Sequence, residues 1–136
     1  MRPASASSAV ERMADVPSRD ATGGLDPLAE VRREFSAGLG ARVRHMRSAL
    51  DALAEGFDPT VAETFHRVAH SLEGTAASFG ANEVAAYASS LAKFGRRWLQ
   101  TRAVMPEELS TVSDELERIG VAVEQYRARI ERSDAE

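Results

Sequence analysis

The residues best suited to chemistry lie in one stretch, Thr64 to Gly80, which reads TFHRVAHSLEGTAASFG. At about 100° per residue, Val61, Phe65, Val68, Leu72 and Phe79 line up as the apolar stripe of a core-facing helix. His70 then lies roughly 170° from the centre of that stripe, so its imidazole faces away from the core. The residues sharing its face are small, with Gly74 one turn later and Ala77 two turns later. Glycine inside a helix is less favourable than alanine by about 0.5 to 1 kcal/mol. Close approach of another molecule to the imidazole is a reason to keep one there. The stretch also spells a second chemistry, because His66 precedes His70 by one turn and, with Glu73, writes HxxxH plus a carboxylate, a pattern able to hold zinc. No other histidine or cysteine is near, and the third histidine, His45, falls among arginines earlier in the chain. The expectation is therefore no metal site, with His66 a solvated side chain flanking the exposed face.

Four helices are expected to position that face. Asp26-Pro27 opens the first, in which Leu28, Val31, Phe35, Leu39, Val43, Met46, Leu50 and Leu53 recur through Gly38 and Gly40 to about Glu55, with Gly56 as the stop. Asp58-Pro59 repeats the start signal for the helix that carries His70 and ends at Gly80. A third, from Ala81 or Asn82, presents Val84, Tyr87 or Ala88, Leu91, Phe94 or Gly95, and Trp98, with a small-residue surface near Ala85, Ala88, Ser89 and Ala92. Pro106-Glu107-Glu108 starts the last, where Leu109, Val112, Leu116, Ile119, Val123, Tyr126 and Ile130 repeat by threes and fours. No alternating strand pattern occurs. The predicted architecture is all-α, an antiparallel up-and-down four-helix bundle over residues 25–132. A flexible Ala- and Ser-rich N-terminal tail over 1–24 and a frayed C-terminus over 133–136 are expected to flank it.

The whole chain narrows the function classes. Its 136 residues, 43% hydrophobic, suit one domain, and 17 basic against 21 acidic residues give a net charge of −4, which argues against a nucleic-acid partner. The absence of cysteine removes disulfides and thiolate metal sites. No apolar run reaches the roughly 18 residues of a membrane span, and the N-terminal segment lacks a signal-peptide core. A cytoplasmic protein without membrane association is expected. Nothing resembles a nucleotide-binding glycine loop, a nucleophile elbow or a paired-carboxylate hydrolase site.

The run His70-Ser71-Leu72-Glu73-Gly74-Thr75-Ala76 resembles the signature of histidine-containing phosphotransfer (HPt) domains. In that family the histidine is followed by an apolar residue two positions on, then a lysine, a glycine and a small hydroxyl residue. Ala69, the helix exit Ser78-Phe79-Gly80-Ala81 and the region of Leu91 extend the likeness, which covers roughly Asp26 to Ile130. The resemblance implies a phosphocarrier of a bacterial-type two-component phosphorelay, with no catalytic activity of its own. His70 would accept a phosphoryl group from a receiver-domain aspartate or a histidine kinase and donate it onward. The implied partners are a response-regulator receiver domain and a histidine kinase. No cofactor is expected to be bound, and Mg²⁺ is expected to come with the partner. The small protein must mainly offer an exposed neutral imidazole and an unobstructed surface, here Gly74 and Ala77.

One departure stands out: Glu73 occupies the family's lysine position. A carboxylate about 6 Å from the imidazole disfavours its phosphorylated form by roughly 0.5 to 1 kcal/mol when solvated. Arg67, one turn before His70, and Lys93 on the third helix are candidates for the missing cation. Alternatively, Glu73 accepts a hydrogen bond from one ring nitrogen and fixes the tautomer. Position 92, glutamine in some relatives, is alanine here. These departures leave a second reading, a pseudo-HPt adaptor that docks a receiver or kinase without efficient transfer. Arg42, Arg44 and Arg47, with Arg96 and Arg97, form either a basic rim for acidic receivers or a solvated face.

Overall fold

Local chemistry sets the helix boundaries in the computed structural model, which describes residues 27–135. These form α1 (Pro27–Glu55), α2 (Pro59–Ser78), α3 (Asn82–Thr101) and α4 (Pro106–Ala135). The expected tail over 1–24 lies outside the described residues. Asp58 caps α2 by accepting hydrogen bonds from the amides of Thr60 (2.9 Å) and Val61 (3.4 Å), with Pro59 in the first turn. The helix ends where Gly80 adopts φ +74°, a left-handed conformation that glycine takes without strain. Gly80 N–H then reaches the Ala77 carbonyl, and Ala81 N–H the Ala76 carbonyl at 2.9 Å, completing a Schellman closure. At the far end, α4 runs on to Ala135, with no glycine or proline after Arg132 to end it.

Each helix packs on its neighbour in the chain, and α1 also packs on α4, closing an up-and-down four-helix bundle as the periodicity predicts. The core differs in detail from the predicted stripes. The fully buried residues of α2 are Ala62, Phe65, Ala69, Leu72 and Ala76, whereas Val61, Val68 and Phe79 are only half-buried. Likewise Ala92 of α3, expected on the surface, is buried, Ala88 rather than its alternative Tyr87 takes the buried position, and Leu28 of the α1 stripe is half exposed. In α2 and α3 the cause is that alanine carries the least bulk beyond Cβ, so the closest helix–helix contacts fall on alanines and the larger side chains lie to the flanks.

Polar staples join the helices at both ends. Buried Trp98 donates its indole N–H to Glu108 Oε1 (3.0 Å), and the same oxygen accepts from the Met105 amide at the start of α4 (3.0 Å). Arg97 pairs with Glu108 Oε2 at 3.0 Å. Opposite, Tyr126 of α4 donates to the Phe79 carbonyl (2.9 Å) at the α2 exit, and Phe35 of α1 stacks on Phe79 with ring centroids 4.9 Å apart. Trp98 and Tyr126 are thus core residues that spend their polar atoms on connections between helices. Among the described residues no helix is long and apolar enough to cross a membrane.

Glu108→Ala strands the buried indole N–H and uncaps α4, and should lower unfolding stability by roughly 2 to 3 kcal/mol. Glu108→Gln, which keeps an acceptor oxygen, should lose clearly less. Chemical denaturation measures both, and equal losses would contradict this assignment.

Candidate functional site

The face around His70 is built from the middle of α2. His70 is exposed, as are Gly74 and Ala77, and a Cβ placed on Gly74 would meet nothing within 4 Å. The fold therefore makes no steric demand for glycine at this position. The hydroxyls nearby turn inward onto their own helix, with Thr75 Oγ1 donating to the Ser71 carbonyl (2.9 Å) and Ser78 Oγ to the Gly74 carbonyl (3.1 Å). What remains around the imidazole is low and open.

His66 behaves differently from its expected role as a solvated flank. It is half-buried, its ring stacks on that of His70 with centroids 5.8 Å apart and planes 17° from parallel, and its Nε2 is buried with no hydrogen-bond partner. The reason lies in α3. Gly95 is buried against α2 so closely that a Cβ there would fall 2.9 Å from both Cα and Cβ of His66 and 3.2 Å from its amide nitrogen. Two backbones in contact leave the His66 ring little open space. Burial, first of all, holds its pKa below the usual 6.5; the positive charges of Arg96 and His70 push the same way, and Glu63 opposes them.

The candidate charge partners separate. Glu73 is half-buried and makes no hydrogen bond to His70, so the tautomer-fixing arrangement is absent among the described residues. Arg67 and Lys93 are exposed on α2 and α3. The five arginines do not make one rim. Arg47 reaches across to α4, donating to Ser113 Oγ at 3.0 Å and to its carbonyl at 3.3 Å, Arg97 is held by Glu108, and Arg42 lies 5.9 Å from the Phe35 ring. Arg44 is exposed beside Gly40 on α1. Of the five, Arg96 is the one whose charge acts on His66. Two participants were thus under-read in the sequence, Gly95 and Arg96, and the available signal was a glycine in mid-helix with no turn to explain it. Among the described residues no group of three or more His, Cys, Asp or Glu stands ready to hold a metal ion.

The Hpt domain family matches residues 30–129, most of the described bundle, and the chain belongs to that family. Hpt domains are phosphocarriers of phosphorelay signalling that work with receiver domains and histidine kinases. Comparison with curated proteins and with solved structures returned no match.

The two glycines predict opposite outcomes. Gly74→Ala adds a methyl to open space in an exposed helix interior and should raise stability by about 0.5 to 1 kcal/mol. Gly95→Ala drives a methyl into the α2 backbone and should lower it by roughly 1 to 3 kcal/mol despite the better helix propensity. Denaturant melts decide both, and a stabilised Gly95→Ala would refute the close helix contact.

Proposed function

We propose that this protein is an active phosphocarrier in which His70 is the residue that takes and passes on the phosphoryl group. The observation that carries the reading is the contrast between its two neighbouring histidines: His70 is exposed beside open space at Gly74, while His66 has a buried Nε2. An in-line attack needs a nitrogen lone pair that a second protein can reach, with room for the incoming phosphate. Family membership supports the type of transfer.

In this reading a nitrogen lone pair of neutral His70 attacks the phosphorus of an aspartyl phosphate on a receiver domain. The P–O bond to the aspartate breaks, and its electron pair returns to the carboxylate. The ring proton remains on the second nitrogen. Reversal of the same steps returns the phosphoryl group to a receiver, and a histidine kinase is the other candidate donor. Gly74 and Ala77 leave the path clear. Mg²⁺, which neutralises the oxygens in flight, comes with the partner in this reading. Exposed Arg67 and Lys93 offset the charge of Glu73 and attract an acidic partner. The protein acts in the cytoplasm, where receivers and kinase catalytic domains operate, and has no nucleic-acid partner.

One observation favours the adaptor reading: a half-buried carboxylate, Glu73, stands where relatives carry lysine, and the glutamine position is a buried alanine, Ala92. Both readings predict receiver binding; only phosphocarrier activity predicts label.

Incubation with a phosphorylated receiver, or with a kinase and ATP, should label the wild-type protein. His70→Gln should abolish the label, and His66→Gln should retain it. Glu73→Lys should raise the steady-state phosphorylated fraction severalfold, since it replaces repulsion with attraction. Receiver binding without any label in the wild type would establish the adaptor instead.

A further inference from the structure

His66 has no part in the transfer just described, yet three independent features converge on it. Its backbone is in contact with Gly95 of α3, at distances that admit no side chain at position 95. Its ring lies nearly parallel to that of His70, with centroids 5.8 Å apart. Its Nε2 is shut off from solvent without a hydrogen-bond partner among the described residues. A buried polar atom left unsatisfied is rare in folded proteins and calls for an explanation.

We propose that His66 is a charge-adapting positioning residue for His70: clamped by α3, it stays uncharged while His70 is bare and becomes the compensating cation once His70 carries a phosphoryl group. The proposal rests on His70 being able to carry that group. The bare state follows from the surroundings. Burial, Arg96 from α3 and His70 from the same helix all disfavour imidazolium at position 66, while Glu63 favours it, and among the described residues no charged group of α1 or α4 is a cause. Two stacked imidazoles of which one stays neutral do not repel each other as two imidazolium ions would.

Phosphorylation reverses the balance. A phosphoryl group bonded to the neighbouring ring brings close to two negative charges within about 6 Å, which in a largely aqueous setting favours imidazolium at position 66 by about one pKa unit or more. His66 then takes up a proton at Nδ1, the ring nitrogen that is not shut off, and its charge opposes that of Glu73, two turns along α2. The lysine that other family members carry is positive in both states. Here the counter-charge would exist only in the state that needs it. Linkage requires reciprocity: if phosphate on His70 favours a proton on His66, a proton on His66 favours phosphate on His70. Phosphohistidine in this protein is thereby predicted to be favoured more as pH falls from 8 to 6, beyond the intrinsic pH dependence of the phosphorus–nitrogen bond.

The test needs no cognate partner. Phosphoramidate phosphorylates accessible imidazoles directly: the His70 nitrogen attacks phosphorus, the P–N bond of the reagent breaks, and ammonia leaves. Histidine ring resonances of the full-length protein are then titrated by NMR before and after labelling. The expected result is an upward shift of the His66 titration midpoint by one unit or more upon phosphorylation of His70. His66→Phe keeps a flat ring against His70 but cannot titrate, and it should label while losing the additional pH dependence of phosphohistidine lifetime. An unchanged His66 midpoint, or an identical pH profile in wild type and His66→Phe, would overturn the proposal while leaving His70 as the carrier. A shifted midpoint with no transfer from any receiver or kinase would retain the proposal and defeat the carrier reading. Failure of phosphoramidate to label His70 would overturn both.

Discussion

The contact between the backbones of α2 and α3 at His66 and Gly95 is the constraint on which the site depends. It exists because α3 offers no side chain at position 95 and because alanines, Ala62, Ala69 and Ala76, occupy the buried face of α2. Once the two helices meet there, His66 is pressed into the seam. His70, one turn on, projects from the same helix into solvent. Small residues thus act in two opposite ways along α2: buried alanines draw a neighbouring helix in, and the exposed Gly74 and Ala77 leave the outer face low for a visitor.

The ends of the bundle keep that seam in register. Glu108 ties buried Trp98 to the start of α4, and Tyr126 ties α4 to the exit of α2, so the end of α3 and the turn that leads into it are held by groups that have no role in chemistry. A shift of one residue between α2 and α3 would set a side chain against the His66 backbone. Rigidity of the frame and accessibility of the imidazole therefore have a common origin in the packing of these helices.

Much of this was legible in the sequence. Asp58-Pro59, Gly80 and Pro106 mark helix limits through capping chemistry that acts within a few residues, and the same positions bound the helices in the structure. The placement of His70 opposite the apolar stripe followed from helical geometry alone. The errors arose where a second helix decides the outcome. Ranking apolar residues by size selected Val61 and Val68 over Ala62 and Ala69, because one helix in isolation gives no sign of how near its neighbour comes. His66 looks solvated in the sequence for the same reason: its burial is determined at position 95, some thirty residues further along. Two mid-helix glycines, Gly74 and Gly95, look alike in a sequence, and only the packed bundle separates the one that the fold requires from the one that it does not.

Electrostatics around the pair is the chain's own variation on its family. With a carboxylate at position 73, positive charge comes from side chains scattered over two helices, among them Arg96, whose field reaches His66. Such an arrangement makes the charge of the face sensitive to its occupancy. The most direct measurement is tandem mass spectrometry, under alkaline conditions that preserve phosphohistidine, of the wild-type protein after transfer from a phosphorylated receiver. The account predicts the added phosphoryl mass on His70 within the peptide spanning both histidines; finding it on His66, on His45, or on no residue at all would contradict it.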